Sequence, residues 1–261
     1  MIRRKLFDLL YVVAVLLFLG CLCYISVEYY QIQKSKQRLT EIQMLAQSNE
    51  QVMAERSNKE AEDNTKEAVL ADIDLTNLIA LNPDVIGWLR IPKTKINYPI
   101  VKTKDNSYYL NHNVFREYDR HGSVFMDSRN ATEDDNLILY AHNMRSGSMF
   151  ADLVKYKMPD YATQNPYVYM LLHDEITVFE VYAVFYYSTA KYTTFNYLQR
   201  TWDKNFPQFV QNVQQFSLLQ NRSILNMEDK LLTLSTCNYD TKGNRFVVMA
   251  KKIEDPFFIR F

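Results

Sequence analysis

One cysteine, Cys237, closes the run "KLLTLSTC", and one arginine, Arg245, opens the run "RFVVMAKKI" after a short turn-rich stretch. A thiol is a strong nucleophile only as thiolate, so a reactive Cys237 needs a base or a cation beside it. Of the four histidines, His142 is best placed, because it follows the apolar run "NLILYA" and stands where a strand ends and a groove can open. His112 and His121 lie in polar, loop-like surroundings and His173 precedes Asp-Glu, so exposed structural roles suffice for them. A strand-end histidine taken alone is more often structural than catalytic, and Arg245 alone reads as a surface charge. In ordered combination the three supply a nucleophile, a general acid/base and a cation that keeps its proton. Ordinary Cys and His pKa values of about 8.5 and 6.5 put roughly one pair in a hundred in the thiolate–imidazolium form, and Arg245 favours that form. The chemistry on offer is attack on a carbonyl carbon, with stabilisation of the oxygen that becomes negative.

Something must carry these residues, and the chain divides visibly. "MIRRK" precedes the apolar run of residues 6–27, in which Asp8 is the only charge. Roughly 20 apolar residues span a bilayer as a helix, and the basic flank should stay in the cytoplasm. A cleaved signal peptide fits less well, since its apolar part is shorter and ends at small residues. A lipoprotein reading of "LFLGC" ranks low because the run continues past Cys21. Residues 28 to about 70 contain no Pro or Gly and read as a helical stalk, with Ile32, Leu39, Ala46 and Met53 at heptad spacing. The expected boundaries are a basic tail and anchor over 1–29, a stalk over 30–74 and a folded domain over 75–261.

Beyond a short helix stopped by Pro83, the texture becomes β-rich. Eight short apolar runs from "VIGWLRI" to "RFVVMAKKI" are separated by Asn, Asp, Pro and Ser, which predicts a β-barrel or sandwich. The stretch "TTFNYLQRTWDKNFPQFVQNVQQFS" reads as a helical insertion before the last strand pair. Lys+Arg and Asp+Glu are both 30, so there is no basic excess for a nucleic-acid partner. No grouping of Cys and His has zinc-site spacing, and no cofactor is expected. Cys21 and Cys23 fall in or near the anchor, which leaves Cys237 as the single external cysteine.

"TLSTC" at a strand end, Arg245 at the start of the next strand and "YAHN" upstream resemble the sortase family, membrane-anchored cysteine transpeptidases of Gram-positive bacteria. "NPDVIGWLRIPKTKINYPIV", "GSVFMDSRN" and "NLILYAHNMRSGSMFADL" look like class B sortases in particular, over residues 80–253. Lys93 departs from the glycine more usual after "IP". The resemblance implies a mainly β fold, a closed eight-stranded barrel with added helices. It implies His142, Cys237 and Arg245 as catalytic residues, and Asn106, Leu110, Thr193, Tyr197, Leu198 and Ser235 as groove positions. Core packing is the plainer reading of Leu110, Tyr197 and Leu198. The implied substrates are secreted proteins with a C-terminal sorting signal, and the implied acceptor is a peptidoglycan precursor or pilin amine.

Rival readings keep the same residues. A cysteine peptidase or other hydrolase would use water as acceptor. An L,D-transpeptidase would place Gly before its Cys and Arg two residues after, whereas Thr236 and Asn238 flank Cys237. A membrane-tethered scaffold would need no reactive thiol at all.

Overall fold

Each β-rich run after Val85 becomes a strand. In the computed structural model, which describes residues 2–47, 70, 72–188, 195–219, 225–237 and 244–254, these are β1 (Val85–Arg90), β2 (Asn97–Val101), β3 (Val124–Met126), β4 (Asn136–Ala141), β5 (Tyr167–Leu172), β6 (Glu175–Ser188), β7 (Leu231–Cys237) and β8 (Asn244–Lys252). They close into a barrel in the order β1-β2-β3-β4-β7-β8-β6-β5. Closure removes the open sheet edges that would otherwise invite pairing between molecules. The β2–β3 and β4–β7 pairs are parallel, and the other pairs are antiparallel. A parallel pair needs a long crossover, and here everything between residues 141 and 231 makes the trip from β4 to β7.

Strand alternation sorts side chains to two faces. Trp88, Ile138, Leu234, Phe246 and Val248 are fully buried in the barrel. A second apolar layer lies outside the barrel wall, where Tyr182, Phe185, Val247 and Met249 meet Phe195, Tyr197, Phe206, Phe209 and Val213. The expected short helix before β1 is α2 (Thr76–Leu81). Lys93 holds its turn with φ of 61°, so the turn forms without the usual glycine. Three elements had no sequence signal: the 3-10 segments Tyr108–Leu110 and Phe150–Lys157, and the helix α3 (Pro159–Gln164) that follows the second.

The helical insertion is shorter than its sequence texture suggests. Its helix, α4, spans only Phe206–Phe216, with buried Phe206, Phe209, Val210 and Val213 on one face. Pro207 is tolerated there because it sits in the first turn. Upstream, Asp203 accepts from the Asn205 backbone N–H at 2.8 Å, and the Trp202 backbone N–H donates to Asp135 Oδ2 at 2.7 Å. These bonds commit residues 195–205 to turns against the barrel instead of helix.

The N-terminal helix α1 runs without a break over Ile2–Ala46. It contains a stretch long and apolar enough to cross a membrane. Ile32, Leu39 and Ala46 fall within it; Met53 lies outside the described residues. The chain forms two compact units, Met1–Met44 and Leu45–Phe261.

Candidate active site

The barrel brings three strand ends to one place. In the parallel β4–β7 pair, Ala141 faces Thr236. One step further along both strands stand His142 and Cys237. In the antiparallel β7–β8 pair, Cys237 is the direct partner of Arg245. Directly paired residues in an antiparallel sheet have Cα atoms about 4.5–5.5 Å apart. The register of three adjacent strands therefore gathers His142, Cys237 and Arg245 at a single rim position, although they lie far apart in the chain. On the far side of β8, Tyr187 is the partner of Arg245.

His142 is anchored through one ring nitrogen. Its Nε2 lies 2.7 Å from the backbone carbonyl oxygen of Leu110. A carbonyl only accepts, so Nε2 carries a hydrogen, and Nδ1 is the nitrogen left to gain or lose a second proton. The other three histidines are engaged locally. His112 stacks on Tyr108 at 4.1 Å, His121 Nδ1 meets Asp119 at 2.9 Å, and His173 occupies the β5–β6 turn with φ of 49°.

The expected groove positions fall on two sides of this rim. Asn106 and Leu110 belong to the segment that holds His142: Asn106 Oδ1 accepts from the Ser128 backbone N–H at 2.7 Å, and Leu110 keeps an exposed side chain. Tyr197 and Ser235 form the other side, where both are buried and their hydroxyl oxygens lie 3.0 Å apart. The Tyr197 ring also lies 4.5 Å from that of Tyr187. Leu198 is half-buried against the outer apolar layer. Thr193 lies outside the described residues.

Residues 89–253 match the sortase domain. The chain is 37% identical to sortase B of Listeria monocytogenes over 204 residues, which is 72% of this chain and 80% of that protein. To sortase B of Staphylococcus aureus it is 32% identical over 185 residues, 68% of this chain and 74% of that protein. The chain belongs to the class B sortases. The S. aureus sortase B–substrate complex is similar in structure, with a TM-score of 0.69, 25% identity, and coverage of 86% of this chain and 98% of that one. The crystal structure of the Clostridium perfringens sortase B gives a TM-score of 0.64 at 33% identity, covering 69% of this chain and all of that one. As a sortase, the protein is a cysteine transpeptidase.

Next to its rim the sortase carries a polar network that sequence reasoning missed. Asp127, just after β3, is fully buried, and its carboxylate is gripped by Arg129 through Nε at 2.9 Å and an η nitrogen at 2.7 Å. The Tyr140 hydroxyl donates to the same carboxylate at 2.9 Å. Burial works against the charge on Asp127, but the Arg129 fork and the Tyr140 hydroxyl outweigh it and hold the carboxyl well below its ordinary range. Burial, with Asp127 beside it, pushes the Tyr140 phenol far above its ordinary value. Tyr140 precedes His142 by two residues and is the register partner of Ser235. The signal available in sequence was slight: a Tyr inside "YAHN" and a D-S-R triplet, neither of which shows that the groups meet. Among the described residues, no group of three His, Cys, Asp or Glu side chains is gathered to hold a metal ion.

Proposed function

We propose that this sortase cleaves a C-terminal sorting signal of secreted proteins through a thioester and transfers the acyl group to an amine. His142 takes the proton of the Cys237 thiol, and the thiolate attacks the scissile carbonyl carbon, forming a C–S bond while negative charge develops on the oxygen. Arg245, the direct partner of Cys237, neutralises that charge or holds the substrate backbone beside it. When the C–N bond breaks, His142 gives a proton to the departing amine and leaves the acyl group on sulfur. The incoming amine then attacks the thioester, His142 takes up its proton, and the thiolate is regenerated. With Nε2–H committed to the Leu110 carbonyl, Nδ1 is the nitrogen through which that proton passes.

The observation that carries this reading is the register of β4, β7 and β8, which aligns acid/base, nucleophile and cation. The placement of Asn106 and Leu110 on one side and Tyr197, Leu198 and Ser235 on the other supports a groove for the sorting peptide, with Thr193 its remaining proposed position. Among similar structures, one S. aureus sortase B is in complex with substrate and another sortase B is complexed with triglycine, which supports an amine acceptor here. The acceptor amine is that of a peptidoglycan precursor or a pilin lysine. We place the N-terminus in the cytoplasm, the apolar part of α1 in the membrane, residues 30–74 as a stalk and the barrel of 75–261 outside. Mass spectrometry of candidate sorting peptides incubated with enzyme and an amine tests the reaction. A product carrying the amine is expected; release of the free acid alone would make the protein a cysteine hydrolase, and no cleavage with an unreactive thiol would leave a tethered scaffold.

A further inference from the structure

We propose that Gly122, on the turn before β3, is a positioning residue for His142, because its missing side chain lets the Leu110 carbonyl stand where it accepts the His142 Nε2–H. This rests on His142 being the acid/base group. Gly122 is buried and has φ of 59°, in the left-handed region that side chains rarely adopt. The decisive fact is its surroundings. A β-carbon at this position would stand 2.4 Å from the Tyr109 carbonyl oxygen, 2.6 Å from the Leu110 oxygen and 2.9 Å from the Leu110 carbonyl carbon. All three are backbone atoms, so no side chain can swing aside to make room.

The turn cannot simply retreat either. The Asp119 N–H donates to the Asn111 carbonyl at 3.0 Å, and the Gly122 N–H returns to the Asp119 carbonyl at 2.9 Å. The Ser123 N–H donates to the Tyr109 carbonyl at 3.0 Å, and the Ser123 hydroxyl donates to the His112 carbonyl at 3.0 Å. Residues 119–123 are thus laced to residues 109–112 on both sides of Gly122. Relief of the contact must come from the Leu110 peptide, whose oxygen lies 2.7 Å from the Nε2 of His142. Turning or shifting that peptide breaks a short, directional bond. The ring then loses the partner that selects its tautomer, and Nδ1 is no longer reserved for proton transfer. Nothing in "HGSVF" advertises this, since the glycine is twenty residues from His142 and acts through a third segment.

The test uses the full-length enzyme in detergent with Gly122→Ala and Gly122→Asn, because asparagine tolerates a left-handed φ far better than alanine but carries the same β-carbon. Both variants are expected to lower kcat on the order of 10²-fold, the cost typical of misplacing a catalytic group by about 1 Å, with KM little changed. Imidazole 15N shifts at mildly basic pH should show His142 protonated at Nε2 in the parent and a mixture of tautomers in the variants. Rescue by Asn would assign the effect to backbone strain and overturn the proposal. So would loss of activity with the parental 15N signature, full activity in a folded Gly122→Ala, or failure of both variants to fold, which would make Gly122 a residue of the fold alone. A His142→Ala enzyme that still cleaves would instead refute the acid/base reading, so the two failures are separable.

Discussion

Removing Arg129 should expose how much of the barrel's stability depends on one buried carboxylate. In Arg129→Ala, Asp127 loses two charge-assisted bonds and keeps only the Tyr140 hydroxyl and the Arg129 backbone N–H. Bonds to charged groups contribute about 1.5–3 kcal/mol net, and leaving a buried charge short of partners costs a similar amount again. The Arg129 side chain is 55% exposed, so solvent already screens part of its charge, and the lower figure applies: about 1.5–3 kcal/mol in all at pH 7. The pH dependence gives a sharper check. Asp127 is depressed in the folded parent, so its contribution is fully present above the unfolded carboxyl pKa of about 3.9 and is lost as pH falls below it toward the depressed value. In the variant burial acts with little opposition, so the carboxyl protonates at higher pH. The gap between parent and variant should therefore be widest near pH 7 and close as the pH drops below about 4. Urea unfolding across pH 2.5–8, followed by tryptophan fluorescence, measures it. A gap under about 0.5 kcal/mol at pH 7, or one that does not change with pH, would refute the reasoning.

Three further outcomes are expected. Tyr197→Phe leaves the buried Ser235 hydroxyl without its partner at 3.0 Å and should cost about 1–3 kcal/mol in urea unfolding; an unchanged midpoint would show that the bond does not contribute. Gly87→Ala puts a β-carbon 2.2 Å from the Leu171 carbonyl oxygen across the β1–β5 pair, so its Tm should fall by several degrees at least, and a parental Tm would mean the two strands can part at no cost. Protease treatment of intact protoplasts should remove the barrel while sparing the apolar part of α1; full protection would place the barrel in the cytoplasm.

The strands were legible in sequence because each is a short run of β-formers bounded by turn residues, and all eight fell where those runs lie. Barrel closure came from family resemblance: strand texture is local, and nothing local says which strand lies beside which. The α4 boundary went wrong for a related reason. "NYLQRTWDKN" has helical texture, but its backbone N–H at Trp202 is taken by Asp135, a residue 67 positions away. The pairing of Cys237 with Arg245 is legible because their strands follow one another in the chain with few residues between. His142 joins them only through the parallel β4–β7 register, which the long crossover hides. Asp127, Tyr140 and Gly122 act through contacts with no sequence periodicity, and so no pattern could announce them.

The most direct test of the catalytic assignment is to measure peptide cleavage and thiol alkylation side by side for Cys237→Ala, His142→Ala and Arg245→Lys. Cys237→Ala should abolish cleavage and leave only the alkylation of Cys21 and Cys23. His142→Ala should still be alkylated, slowly, while cleavage falls by the roughly 10²–10⁴ of a positioned acid/base. Arg245→Lys keeps the charge but loses the planar fork, and should cost about 2.7–4 kcal/mol in transition-state stabilisation. An Arg245→Lys enzyme as active as the parent, or an active His142→Ala beside an inactive variant of His112, His121 or His173, would contradict the account.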